Sequence, residues 1–122
     1  MKKRVLIVDD EEDIRNSISF LIERMGFESS VAKDGREVIR MLIENKFDLI
    51  LMDIFMPGMS GIECVREIRK NPKTKNQKIA FLTVAQIVES GKEEMKKLKP
   101  VDYILKPIEL EDFEKRIRKI LR

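Results

Sequence analysis

The chain has 122 residues, 43% of them apolar and 39% charged, yet its formal net charge is only +3, so the charges are mixed rather than massed. That length suits one domain, spanning residues 1–122, around one core. A single cysteine excludes an internal disulfide and a cysteine-based metal site, and no apolar stretch reaches membrane-spanning length. A cytoplasmic protein with no membrane contact is therefore expected.

Arg4 to Val8 reads as a first buried strand, and Asp9-Asp10-Glu11-Glu12-Asp13 follows it at once. Ile14, Ile18, Leu21, Ile22 and Met25 then recur at helical spacing, and Gly26 supplies the stop. Residues 27–32 make a weaker second strand, and Asp34-Gly35 reads as a turn. Val38, Ile39, Leu42 and Ile43 mark a second helix that ends near Asn45. Residues 48–53, Asp-Leu-Ile-Leu-Met-Asp, are an apolar run closed by an acid. Such a run reads as a strand buried on both faces of a parallel sheet.

Ser60 caps a third helix carrying Ile62, Val65 and Ile68, and Asn71-Pro72 ends it. Cys64 on this helix reads as a small apolar residue. Lys78 to Thr83 is a fourth strand. The stretch 86–98 has a thin stripe of Ile87, Val88, Met95 and Leu98, interrupted by Gly91, that allows a helix. Val101 to Leu105 is a short fifth strand, followed by Lys106-Pro107. Leu110, Phe113, Ile117, Ile120 and Leu121 form a closing amphipathic helix. Its cations, Lys115, Arg116, Arg118, Lys119 and Arg122, alternate with Glu109, Glu111, Asp112 and Glu114. This pattern reads as a solvated helix face, and no direct nucleic-acid contact is expected. Five strands alternating with five helices imply an α/β fold, a doubly wound five-stranded parallel sheet with helices on both faces.

In a parallel sheet the carboxyl ends of the strands share one rim. Here that rim collects Asp9, Asp10, Asp53, Thr83 and Lys106. Each has an ordinary explanation: Asp10 with Asp13 as a helix cap, Asp53 as a turn-former before Pro57, Thr83 as a strand residue, Lys106 as a loop charge. Those explanations do not account for the coincidence. Three carboxylates held together resist ionising, and a hard divalent cation with oxygen ligands, Mg2+, removes that cost. Lysine and threonine suit phosphoryl oxygens, and carboxylates are known nucleophiles for aspartyl phosphates. The set is built for a phosphoryl group, with Mg2+, on or beside Asp53.

On these residues the chain resembles the receiver domain of two-component response regulators. The resemblance rests on Asp9-Asp10 after strand one, Asp53 followed by Met56-Pro57 and Gly61, Thr83 after strand four, and Lys106-Pro107 after strand five. It implies a flavodoxin-like fold and a phosphoacceptor switch that catalyses only its own phosphorylation and dephosphorylation. The donor would be the phosphohistidine of a sensor histidine kinase or a histidine phosphotransfer protein; this chain has no histidine. The resemblance further implies that Asp10 and Asp53 ligate Mg2+ directly, with Asp9 through water and the main-chain carbonyl of Phe55 as a further ligand. Lys106 would pair with a phosphoryl oxygen, with a cis peptide before Pro107. Thr83 would move onto the phosphoryl group and Tyr103, the switch aromatic, would swing inward. The surface 84–109 would then change its populations and signal to a downstream protein or output domain, with phosphorylation-dependent homodimers common in the family. The chain is either a stand-alone receiver or a piece of a longer regulator.

The sequence departs from the family in three places. Val84 stands where Ala or Gly is usual, and Phe55 stands two residues beyond the acceptor, so both are expected to restrict attacking water and prolong phospho-Asp53. Lys99-Pro100-Val101-Asp102 replaces the common Gly-Ala-Asp before strand five. A haloacid-dehalogenase-type phosphatase would carry a second acid at Phe55. A nucleotide or flavin binder would carry glycine or hydroxyl residues, not acids, after strand one. A degenerate receiver that only docks partners would not keep the full set.

Overall fold

A computed structural model describes residues 1–122, apart from the side chains of residues 87–90. The elements alternate as the periodicity implies: β1 (Arg4–Val8), α1 (Glu12–Arg24), β2 (Glu28–Ala32), α2 (Gly35–Glu44), β3 (Leu49–Asp53), α3 (Gly61–Lys70), β4 (Ile79–Thr83), α4 (Ala85–Lys96), β5 (Asp102–Leu105) and α5 (Leu110–Ile120). All strand pairs are parallel, in the order β2-β1-β3-β4-β5. Strands β2, β3, β4 and β5 each begin one residue later than the sequence suggests, at the first residue that finds a partner on the neighbouring strand.

Apart from the half-buried Arg4, the central strands β1, β3 and β4 are buried throughout because both sheet faces are covered. On one face Leu6, Val8, Ile50, Met52 and Phe81 pack against Val38 of α2, Val65 and Ile68 of α3, and Met95 of α4. On the other, Val5, Ile7, Leu49, Leu51 and Leu82 pack against Ile18 and Ile22 of α1 and Phe113 and Ile117 of α5. Burying each such side chain contributes about 1.5–3 kcal/mol, which fixes β1, β3 and β4 side by side and holds their carboxyl ends on one rim. Of the apolar positions expected on α4, Met95 and Leu98 are buried, while Ile87 and Val88 fall outside the described side chains.

Local signals act with two corrections. Gly26 follows the end of α1 at φ +91°, a conformation glycine takes without a Cβ clash. Ser60 and Glu63 form a reciprocal capping box on α3. Asp34-Gly35, read as a turn, is instead the start of α2: Asp34 is the cap, and its Oδ1 accepts from the Glu37 amide at 2.9 Å. The cap reading of Asp10 fails as well. The N-cap position of α1 is Glu11, which makes no side-chain cap bond, and the first-turn acids Glu12 and Asp13 meet the positive end of the helix dipole. Asp10 is thus left exposed and free for other use.

Candidate functional site

The site lies where the strand order reverses. β1 has β2 on one side and β3 on the other, so a crevice opens beyond their carboxyl ends. Val8 pairs with Met52, so Asp9 and Asp53 are the next residues in register on adjacent strands. Thr83 ends β4 opposite Leu105 of β5, and the Lys106 amide donates to the Thr83 carbonyl at 2.8 Å. Sheet register alone therefore converges residues 9, 53, 83 and 106.

Lys106 ties the acids together. Its Nζ donates to Asp9 Oδ2 at 2.8 Å and to Asp53 Oδ1 at 3.2 Å. Asp9 is fully buried, and its Oδ1 accepts from the Glu11 amide at 3.0 Å, so both its oxygens are engaged. Asp53 Oδ2 and the Asp10 carboxylate accept no hydrogen bond among the described residues. Carboxylate oxygens of Asp9, Asp10 and Asp53 lie within 4.8 Å of one another.

Three carboxylates facing one ammonium leave the site underneutralised. Burial first, and then the charges of Asp9 and Asp10, push Asp53 from an ordinary 3.8 up to about 6 against the opposing pull of Lys106. Burial pulls Lys106 down, but its hydrogen bond to Asp9 and the charges of Asp53 and Asp9 outweigh this and hold its pKa above the usual lysine value. A divalent cation fits this donor set: the oxygens are hard, two carboxylates have oxygens to spare, and the charge deficit is of the right sign.

The cleft over Asp53, about 230 Å3, is lined by Asp10, Glu11, Phe55, Thr83, Val84 and Lys106 among others. Thr83 is buried, and its hydroxyl donates only to the neighbouring Val84 carbonyl, at a long 3.3 Å. Phe55 and Val84 are exposed at the mouth of the cleft. Tyr103 on β5 is half-buried, its ring stacked on Phe81 with centroids 6.2 Å apart. The peptide between Lys106 and Pro107 is cis. Cys64 is buried, donates to the Gly35 carbonyl at 3.6 Å, and has its thiol pushed by burial up to about 12, so it is an unreactive core residue.

Arg15 escapes the sequence reading, and so does the contact that Gly61 makes. Arg15, one turn into α1, donates to the Asp9 carbonyl at 2.8 Å and anchors the acidic loop. Gly61 does more than open a helix: its amide donates to the Ile54 carbonyl at 2.8 Å, and a Cβ there would meet the Asp53 carbonyl oxygen at 2.1 Å. The Pro57-Gly58 break and Gly61 hint at a close return of the chain, but contact with Asp53 is a tertiary fact.

With this geometry in hand, likeness to known proteins is informative. The family described as response regulator receiver domain matches residues 5–118. The phosphate regulon transcriptional regulatory protein PhoB of Pseudomonas aeruginosa is 35% identical over 120 residues, 98% of this chain and 52% of that protein. The alkaline phosphatase synthesis transcriptional regulatory protein PhoP of Bacillus subtilis is 33% identical over 125 residues, all of this chain and 50% of its own length. The chain thus spans about half the length of these relatives. The chemotaxis response regulator CheY4 of Vibrio cholerae superposes with a TM-score of 0.90 at 32% identity, covering 99% of this chain and all of that one. Among the described residues, no helix is long and apolar enough to cross a membrane.

Proposed function

Because the chain belongs to the response regulator receiver family and is the receiver domain of a two-component response regulator, we propose that Asp53 is its phosphoacceptor. The observation that carries this reading is the convergence of one half-neutralised acid, Asp53, with Lys106, Thr83 and the Asp9-Asp10 pair in a single cleft.

In the proposed step an Asp53 carboxylate oxygen attacks the phosphorus of a phosphohistidine on a sensor kinase or phosphotransfer protein. The P–O bond forms, the P–N bond breaks, and its electron pair leaves on the imidazole nitrogen. Lys106 holds Asp53 ionised before the step and pairs with a phosphoryl oxygen after it. Thr83, whose hydroxyl is spent only on a long local bond, turns to donate to another. Asp10, Asp53 and the Phe55 main-chain carbonyl would hold Mg2+, with Asp9 acting through water. When bound, the ion neutralises the carboxylates and the developing phosphoryl charge. Movement of Thr83 and Lys106 draws on β4 and β5 and leaves room for Tyr103 to turn inward. The surface 84–109 then shifts toward a form that a downstream protein, an output domain or a second copy recognises. The chain is a switch rather than a turnover enzyme.

The test is incubation of the purified chain with acetyl phosphate and magnesium, read by intact mass. One phosphoryl adduct is expected, absent in Asp53→Asn and absent without magnesium. An adduct that persists in Asp53→Asn overturns the assignment, and turnover of diverse phosphate esters points instead to a phosphatase.

The apolar residues at the cleft mouth bear on lifetime. Water reaching phospho-Asp53 passes Phe55 and Val84. Phe55→Asn combined with Val84→Ala is expected to speed dephosphorylation roughly tenfold, equivalent to about 1.4 kcal/mol in the barrier. Decay of the phosphoprotein followed by mass checks this; an unchanged half-life removes these two side chains from the account.

A further inference from the structure

Two cation-rich stretches lead into the amino ends of β4 and β5, at the opposite end of the sheet from the acids around Asp53. From Arg69 to Lys78 five of ten residues are cationic and none is acidic, and Lys96-Lys97-Leu98-Lys99 adds three more cations. The fold brings these separate stretches together in a cleft of about 490 Å3 lined by Arg69, Lys75, Asn76, Lys97 and Lys99.

Arg69 builds the cleft. Its guanidinium donates to the carbonyls of Leu98 at 2.8 Å, Lys75 at 3.0 Å, Gln77 at 2.7 Å and Lys99 at 3.4 Å. These bonds clamp the end of α3, the loop before β4 and the turn between α4 and β5 against one another. The neighbouring ion pairs, Arg66 with Glu94 and Lys70 with Glu67, leave the cations of the cleft out. Among the described residues no carboxylate pairs with Arg69, Lys75, Lys97 or Lys99. Burial accordingly lowers the Arg69 pKa, with no acid to oppose it.

Lys99 supplies an independent sign. It sits at φ +54°, alone among the described non-glycine residues in having a positive φ. Glycine takes that conformation without strain, whereas a residue with a Cβ does not. A strained backbone that carries a charged side chain into a cationic cleft fits a side chain that is used.

We propose that this cleft binds a short oligophosphate, a compact chain of two or three phosphate groups. Four cations without a carboxylate partner among the described residues converge on one concavity, which matches charge concentrated in a small ligand. A nucleic-acid backbone presents its phosphates along an extended track and matches a stripe better. The site is remote from Asp53 and stands whether or not Asp53 is phosphorylated.

The probe is sodium tripolyphosphate, titrated calorimetrically into the full chain in magnesium-free buffer at about 0.15 M ionic strength, where diffuse attraction is screened beyond ~8 Å. Saturable one-to-one binding is expected. Lys99→Gly, which removes the charge and relieves the turn together, should weaken it at least tenfold, as should Lys75→Gln with Lys97→Gln. Lys2→Gln with Lys3→Gln should leave it unchanged. The proposal is overturned by lack of saturable binding, by equal weakening in the Lys2 and Lys3 variant, or by a duplex oligonucleotide that binds more tightly than tripolyphosphate with the same dependence on Lys99.

Discussion

Without magnesium, Asp53→Asn is expected to melt about 8 °C above the parent chain at pH 8 and within about 2 °C of it at pH 4. The cause is the raised acid. Asp53 titrates at about 6 in the folded protein against an ordinary 3.8. Between those values the folded chain binds more protons than the unfolded one, so stability falls as pH rises through that window. Above pH 6 the penalty is complete. A rise of that size, in which the attraction of Lys106 is already counted, corresponds to about 3 kcal/mol, and partial screening of the carboxylate by solvent lowers this to about 2 kcal/mol. Magnesium should narrow the gap, since a cation that binds only the folded, ionised parent stabilises it by mass action. Thermal melts at both pH values, with and without magnesium, give the answer. A gap independent of pH, or an Asp53→Asn variant less stable than the parent, contradicts the electrostatic account of the pocket.

Gly61→Ala should be the most damaging single-methyl change. Alanine is the better helix former by about 1 kcal/mol in a helix interior, so local propensity predicts a gain. The added Cβ, however, would lie 2.1 Å from the Asp53 carbonyl oxygen and 3.0 Å from Ile54 Cα. Both are backbone atoms that no rotamer change can clear. Either α3 lifts from the sheet, breaking the 2.8 Å bond from the Gly61 amide to Ile54, or the end of β3 shifts with Asp53 on it. A loss of about 3 kcal/mol is expected, read as a fall in melting temperature of about 12 °C. Uptake from acetyl phosphate should fall too, because the chain just past the proposed acceptor, Asp53, has moved. A melting temperature within a few degrees of the parent shows that the contact is slack.

The two results test different parts of one construction. The first concerns charge placed at the carboxyl end of β3, the second the backbone that places it. Arg15 belongs with the second: it grips the Asp9 carbonyl from α1 and fixes the acidic loop from the other side of the crevice.

Much of this was legible in the chain itself. Apolar runs at 5–8, 49–52 and 79–82 announce strands covered on both faces, and helical periodicity between them leaves parallel pairing as the only compact arrangement. Parallel strands put Asp9, Asp53, Thr83 and Lys106 on one rim, because each follows or ends its strand at a similar place. The type of chemistry follows from residue types: acids without histidine, one lysine, one hydroxyl. Turn signals were less reliable. Asp34-Gly35 reads as a turn, and only the helix that follows shows it to be a cap with the first helical residue. Asp10 reads as a cap until Glu11 is seen to hold that place.

Tertiary structure alone decided the rest. Which oxygens of Asp9 are spent and which of Asp53 are free depends on Lys106, 97 residues along the chain from Asp9. The rise of the Asp53 pKa depends on burial, which no motif encodes. The approach of Gly61 to Asp53, the Arg69 clamp and the cationic cleft join segments whose spacing carries no signal. Sequence sets periodicity and residue type, which are local. Distances, solvent exclusion and the sign of a local field arise only when separate elements are packed against one another.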